Sequence, residues 1–251
     1  MGKIRVIARL DIKSNHIVKG IQLEGLRKIG NPNEYAKLYY ENGIDEILYM
    51  DIVASLYNRN NLSDIVFHTT EDVFIPITVG GGLRCIEDVR NILKNGADKV
   101  AINTAAIKRP EIITEIAETF GSQCMVLSVE AKKVTEHKWE AYYDNGREHS
   151  NKDVIEWIKQ GVALGAGEIL LTSVDKEGMQ KGVDEELIQS VCDEVSVPVI
   201  VSGGVGSYQD VLNAANHGAS AVAVASILHY KKTDVKTLKR DLARNGQEIR
   251  L

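Results

Sequence analysis

The stretch IPITVGGGLRCIEDVRNILKNGADKVAINTAA, residues 75–106, returns 122 residues later as VPVIVSGGVGSYQDVLNAANHGASAVAVASIL, residues 197–228. Aligned without a gap from 75–104 to 197–226, eleven of thirty positions are identical, Pro76, Gly81, Gly82, Asp88 and Gly96 among them. The register extends backwards, because GIDEIL (43–48) matches GAGEIL (165–170) at the same offset. LDIK (10–13) faces VEAK (129–132) at an offset of 119. Self-similarity over so long a stretch is the mark of a duplicated structural unit, so features of one half should recur in the other across an approximate two-fold axis.

Each unit alternates short apolar, β-branched runs with helical patterns. Strands are expected at 4–10, 46–52, 75–79, 99–103, 124–130, 168–174, 197–202 and 221–225. Helical patterns lie between them, as in NPNEYAKLYYENG, CIEDVRNILKNG, RPEIITEIAETFG and SYQDVLNAANHG, several ending on glycine, the usual left-handed stop. Strand–helix alternation implies parallel strands joined by right-handed crossovers. Eight such units in 251 residues predict a single (β/α)8 TIM barrel over 1–251, built from two duplicated half-barrels. Two segments exceed the minimal pattern: a long loop is expected at 12–31, and a hairpin turning at DNG at 132–148. Both follow strands and therefore sit on the face where such barrels do chemistry.

A net charge of −5 gives no sign of a nucleic-acid surface. Cys85, Cys124 and Cys192 are scattered, odd in number and without metal spacing, as expected in a reducing cytosol. The opening MGKIRVIARLDIK is too charged for a signal peptide, and no run reaches membrane-spanning length, so a cytoplasmic enzyme without metal or cofactor is expected.

The glycine turns carry the first functional reading. Gly81 and Gly82 in one half, and Ser202, Gly203 and Gly204 in the other, end a strand and precede a helix. Glycine lets backbone N–H groups approach an anion. The next strand of each half ends in Asn103–Thr104 or Ala225–Ser226, which adds a hydroxyl beside a helix start, a place that favours phosphate. One phosphate site per half predicts a long ligand with a phosphate at each end. Between them, Asp11 ends strand 1 and Glu130 ends strand 5, and the duplication sets them on opposite sides of the mouth. Two carboxyls suit general acid–base chemistry. The bland alternative is pairing with Lys13, Lys132 or Lys19. Asp51, Asp175 and Glu177 crowd the same rim, where Thr172 and Ser173 would meet substrate hydroxyls. All six histidines read as surface or rim residues.

These motifs resemble the cyclase subunit of imidazole glycerol phosphate synthase, the HisF family. The likeness covers essentially the whole chain, through LDIK, IVKGIQLEGLRKIGNP, MDIVAS, IPITVGGGLR, GADKVAINTAA, GAGEILLTSVD and VPVIVSGGVGS. The resemblance implies a barrel that works with a glutaminase subunit docked on its N-terminal face. Ammonia from that partner would cross the barrel and meet a bisphosphorylated ribulosyl nucleotide, giving imidazole glycerol phosphate and aminoimidazole carboxamide ribotide. It implies catalytic roles for Asp11 and Glu130, a flexible-loop role for Lys19, and an ammonia gate at Arg5, Glu46, Lys99 and Glu168. Those four charges lie at or near strand starts, where they would be costly unless they pair.

The departures from the family pattern cluster at the chemistry. Glu130 replaces an aspartate, ARLD with Arg9 replaces PCLD, and KEGM (176–179) replaces an Asp-Gly-Thr run. Two other readings follow: a paralogue that conducts ammonia to a separate sugar amidotransferase, and the sister phosphoribosyl isomerase.

Overall fold

The computed structural model describes residues 3–54 and 62–251. Its strands are β1 (Arg5–Lys13), β2 (His16–Ile21), β3 (Glu24–Gly30), β4 (Glu46–Asp51), β5 (Ile77–Gly80), β6 (Lys99–Ile102), β7 (Met125–Thr135), β8 (Lys138–Tyr143), β9 (Glu148–Asp153), β10 (Glu168–Ser173), β11 (Val199–Ser202) and β12 (Ala221–Val224). The parallel strands run in the order β10–β11–β12–β1–β4–β5–β6–β7, and the β7–β10 pairing closes the circle into an eight-stranded barrel. The eight expected strands are these eight.

The duplication is visible in the hydrogen-bond register. Ile7 sits opposite Glu46 on β1 and β4, and Val126 sits opposite Glu168 on β7 and β10. Asp11 faces Met50 as Glu130 faces Thr172, and Thr78 faces Lys99 as Ile200 faces Ala221. Every one of these pairs follows the sequence offsets of the two halves.

Alternation along each strand splits the core in two. On β1, Val6, Ala8, Leu10 and Ile12 point outward into the layer shared with the helices. Ile7 points inward, where it packs with Leu48, Met50, Val126, Leu170, Ile200 and Ala221. Arg5, Arg9 and Asp11 share that inward face, so the period of two delivers three charged side chains to the barrel axis. The helices Pro32–Glu41, Ile86–Lys94, Glu111–Phe120, Val154–Ala163, Glu185–Cys192, Tyr208–Asn216 and Val235–Arg244 surround the strands. Asn31 caps the first of these through its side chain, and a reciprocal Ser207–Asp210 box opens the Tyr208 helix.

Residues 12–31 are not the expected loop. β2 and β3 form an antiparallel hairpin that continues β1, with Gln22 and Leu23 both at positive φ in its tight turn. Residues 132–148 extend β7 and begin a three-stranded meander, β7–β8–β9, in which DNG (144–146) turns the chain from β8 to β9. Each half thus carries an antiparallel insertion after its first strand. The two meet above the mouth, where a Cβ on Gly146 would stand 2.9 Å from Leu23 Cδ1.

Candidate active site

Asp11 leaves the end of β1 towards the barrel axis and is 2% exposed. Its Oδ1 accepts from Arg9 Nε at 2.8 Å and its Oδ2 from Lys19 Nζ at 3.0 Å. Lys19 reaches it from the β2–β3 hairpin and also donates to Glu177. Burial alone would push the Asp11 carboxyl up; the adjacent Arg9 and Lys19 cations outweigh it and hold the group well below the usual carboxylate range. Asp11 is therefore an ionised acceptor at any physiological pH. It pairs with Lys19 and with Arg9, and not with Lys13.

Glu130, at the equivalent place on β7, has no cation in contact. Its Oε2 accepts from the Gly146 backbone N–H at 2.7 Å, a contact made by the β8–β9 turn. Burial pushes its carboxyl up to about 7, against the lowering effects of that N–H and of Arg9. The lysine beside it in sequence, Lys132, lies instead over the Tyr142 ring. Two carboxyls thus stand at matching strand ends, one fixed as an anion and one poised to exchange a proton near neutrality, the separation that acid–base pairs require.

The two glycine cradles differ in room. Beside Glu130 lies a cavity of about 340 Å³, lined by Arg9, Asp51, Gly81, Gly82, Asn103 and Thr104 with Arg84, Lys108 and Arg109 at its edge. Gly81 has φ +94° there, and a Cβ would run into the Asp51 carbonyl, so no other residue fits. Thr104 Oγ1 donates to Asp144 Oδ1 at 3.3 Å. The second cradle, formed by Ser202, Gly203, Gly204, Ala225 and Ser226, encloses about 20 Å³, near the space of one water. Gly203 repeats the positive φ, and its Cβ would meet the Ser173 carbonyl at 2.7 Å and Glu177 Oε2 at 3.4 Å. Glu177 and Gly178 share the lining of this second cradle.

The other rim residues separate by environment. Asp51 is buried in the first cavity, where Val53 N–H bonds its Oδ1 at 3.1 Å and burial raises its pKa. Thr172 and Ser202 accept from Arg9 Nη1, each at 3.0 Å. Asp175 Oδ2 accepts from Lys133 N–H at 2.8 Å, which braces the β7 extension. Ser173 Oγ is buried without a partner among the described residues. One histidine departs from the surface expectation: His229 is 4% exposed. Its Nε2 meets the Arg9 carbonyl at 3.1 Å and its Nδ1 meets Tyr39 Oη at 2.7 Å. Burial lowers its pKa to about 4, so the ring is neutral and ties the Ser226–His229 turn to β1. Arg9, Arg84, Lys108, Arg109 and Gly146 escaped sequence reasoning as site residues. Arg84, Lys108 and Arg109 carry no local motif, the DNG motif announces a turn at Gly146 and not its contact with Glu130, and only the inward parity of Arg9 with Asp11 could have flagged Arg9.

At the opposite end, Arg5, Glu46, Lys99 and Glu168 are the first residues of β1, β4, β6 and β10. They close a ring: Arg5 bonds Glu46 and, through Nη2, Glu168 Oε1 at 2.6 Å, while Lys99 Nζ bonds Glu168 Oε2 at 2.8 Å and Glu46 Oε2 at 3.5 Å. The two glutamates are deeply placed and the two cations partly exposed, so the ring floors the barrel with its charges mutually paired. Between this floor and the acids lie the inward apolar side chains of the barrel interior.

No group of three or more metal-ligating side chains gathers among the described residues, and no helix of theirs is long and apolar enough to cross a membrane. What the geometry defines is a (β/α)8 barrel with a duplicated, two-acid site at its strand ends. Residues 5–234 match the family described as histidine biosynthesis protein. A protein of Legionella pneumophila, imidazole glycerol phosphate synthase subunit HisF, is 59% identical over 84% of this chain and 99% of its own length. Proteins of the same name from Endomicrobium trichonymphae and Streptococcus sanguinis (strain SK36) are each 44% identical, over 98% and 100% of this chain and 95% and 100% of their own. The chain belongs to the histidine biosynthesis family, among its HisF members.

Proposed function

We propose that this protein is the cyclase subunit of an imidazole glycerol phosphate synthase. It takes ammonia released by a glutaminase partner and converts a bisphosphorylated ribulosyl aminoimidazole carboxamide nucleotide to imidazole glycerol phosphate and aminoimidazole carboxamide ribotide. The observation that carries this reading is the pair of opposed carboxyls on the family's scaffold, one held ionised by two cations and one raised to about 7 by burial. As ammonia adds to the ribulosyl carbonyl, Glu130 protonates the oxygen, while Asp11, held as an anion, stabilises the positive charge that develops on the nitrogen until solvent takes its proton. Lys19, shared between Asp11 and Glu177, holds the β2–β3 hairpin over the substrate. Gly81, Gly82, Asn103 and Thr104 receive one phosphate, and Ser202, Gly203, Gly204, Ala225 and Ser226 the other. Asp51 and Thr172 line the path between them; Asp175 supports the rim through the β7 extension.

The partner docks on the strand-start face, over the ring of Arg5, Glu46, Lys99 and Glu168. The apolar interior above that ring suits neutral ammonia, which carries no charge to desolvate, and disfavours ammonium. The HisF name shared by the relatives favours this reading over the conduit and isomerase alternatives.

The test is turnover of the bisphosphate nucleotide by the purified chain with ammonium salts and no partner. Formation of both products is expected. A protein that activates a glutaminase yet leaves the nucleotide intact would overturn the cyclase reading.

A further inference from the structure

We propose that Arg9 is a ligand-contacting residue: its guanidinium binds an electron-rich oxygen, carbonyl or anionic, of the molecule held between Asp11 and Glu130. This deepens the reading of the strand-end site given above and rests on it. Arg9 is 3% exposed and projects from β1 one inward step below Asp11. A guanidinium carries five N–H groups in a planar fork. Nε spends its one on Asp11, and Nη1 spends two on Thr172 and Ser202, on β10 and β11. The two on Nη2 meet no acceptor among the described residues.

That leftover edge is not walled in. The buried side-chain polar atoms left without a partner among the described residues are Asn103 Oδ1, Trp157 Nε1 and Ser173 Oγ. Arg9 Nη2 is not one of them, and Arg9 lines the 340 Å³ cavity together with Glu130 and Asn103. The free edge therefore borders the cavity.

Charge and rigidity fit the role. Arg9 and Lys19 balance Asp11 and Glu177 within one chain of contacts, so the network has no surplus anion to occupy Nη2. Three hydrogen bonds to three strands hold the fork in place, so an incoming oxygen meets a donor that loses little freedom on binding. A lysine here would supply charge to Asp11 but not the fixed second edge.

The experiment compares the full chain with Arg9→Ala and Arg9→Lys, using ammonium-dependent turnover, with folding followed by circular dichroism and thermal melts. Arg9→Ala is expected to lose about 10²-fold or more in kcat/KM. Added guanidinium ion should restore a measurable part of it, which a merely structural loss would not allow. Arg9→Lys should fold like the wild type and still lose about tenfold. Turnover of Arg9→Lys equal to wild type, or a folded Arg9→Ala that guanidinium does not rescue, overturns the proposal. If wild type itself turns nothing over, the cyclase reading fails separately, and calorimetric titration with inorganic pyrophosphate decides for Arg9. Binding about tenfold weaker in Arg9→Lys than in wild type sustains the assignment; equal affinity in both, or none in either, overturns it.

Discussion

Asp11 and Glu130 occupy the same place in the two halves, at an offset of 119 residues, and the barrel treats them oppositely. Asp11 has two cations in contact; Glu130 has one backbone N–H. The residue equivalent to Arg9 in the second half is Ser128, which is buried and uncharged. The insertions differ in the same sense: β2–β3 brings an ammonium to the mouth, while β8–β9 brings a peptide group. The glycine cradles diverge too, one opening on a cavity of about 340 Å³ and the other narrowed to about 20 Å³ beside Glu177. Duplication built a symmetric scaffold, and a few inward or inserted side chains made its two ends chemically distinct. A site that moves protons needs that asymmetry, because two identical carboxyls would compete for one role.

The largest effect should come from the ionised end. Asp11→Asn is expected to lower ammonium-dependent turnover by about 10³-fold, within the range of a fixed charge that stabilises the transition state. Initial rates at saturating substrate check it, and a loss smaller than that of Glu130→Gln would reverse the ranking of the two acids.

Glu130→Gln comes next, at about 10²-fold. With Glu130 as the acid, wild-type turnover should decline as pH rises through about 7, and the variant should lose that limb. Stability gives the comparison opposite signs at the two ends. The Glu130 pKa is raised from 4.5 to about 7 on folding, so its contribution is full below 4.5 and is lost as pH rises through about 7. The Asp11 pKa is lowered from 3.8, so its contribution is present above 3.8 and is lost as pH falls below it. Thermal melts of wild type and Glu130→Gln on either side of neutrality should show the drop in wild type alone.

The cradles should respond unequally. Thr104→Ala, at the open cavity, is expected to raise KM for the phosphorylated substrate about tenfold, and Ser226→Ala about threefold. Equal changes would mean that the narrow cradle opens fully on binding. The smallest effect is expected from Glu177→Gln, which removes a negative charge beside the second cradle. Inhibition by inorganic phosphate should strengthen by a factor of about two to five, and weaker inhibition would show that Glu177 does not oppose an anion there.

Much of this is legible in the sequence. The eight strands, the two-fold repeat and the positive-φ glycines at 81 and 203 follow from apolar runs and spacing, which are local signals. The four charges at strand starts were legible as a paired ring only through the family resemblance, because a charge at a strand start is more often solvated on the outside than paired on a barrel floor. The hairpin at 16–30 was not, since KGIQLEGLRKIG is polar enough to read as loop and is held by pairing to β1 and by the Gln22 N–H bond to the Glu177 carbonyl. His229 was missed because nothing near it in sequence announces Tyr39, 190 residues away. Asp175 read as a rim acid, and its bond from the Lys133 N–H, a contact across 42 residues, was not legible in the sequence.

By itself, the sequence determined the barrel, its duplication and the strand ends at which the carboxyls stand, because hydrophobic period, turn glycines and repeat offset are written along the chain. Only the tertiary structure decided which carboxyl keeps its charge and which holds a proton, and which cradle is open. Those properties depend on burial and on partners such as Arg9, Lys19, Gly146 and Glu177, which meet from separate strands and insertions only once the barrel has closed.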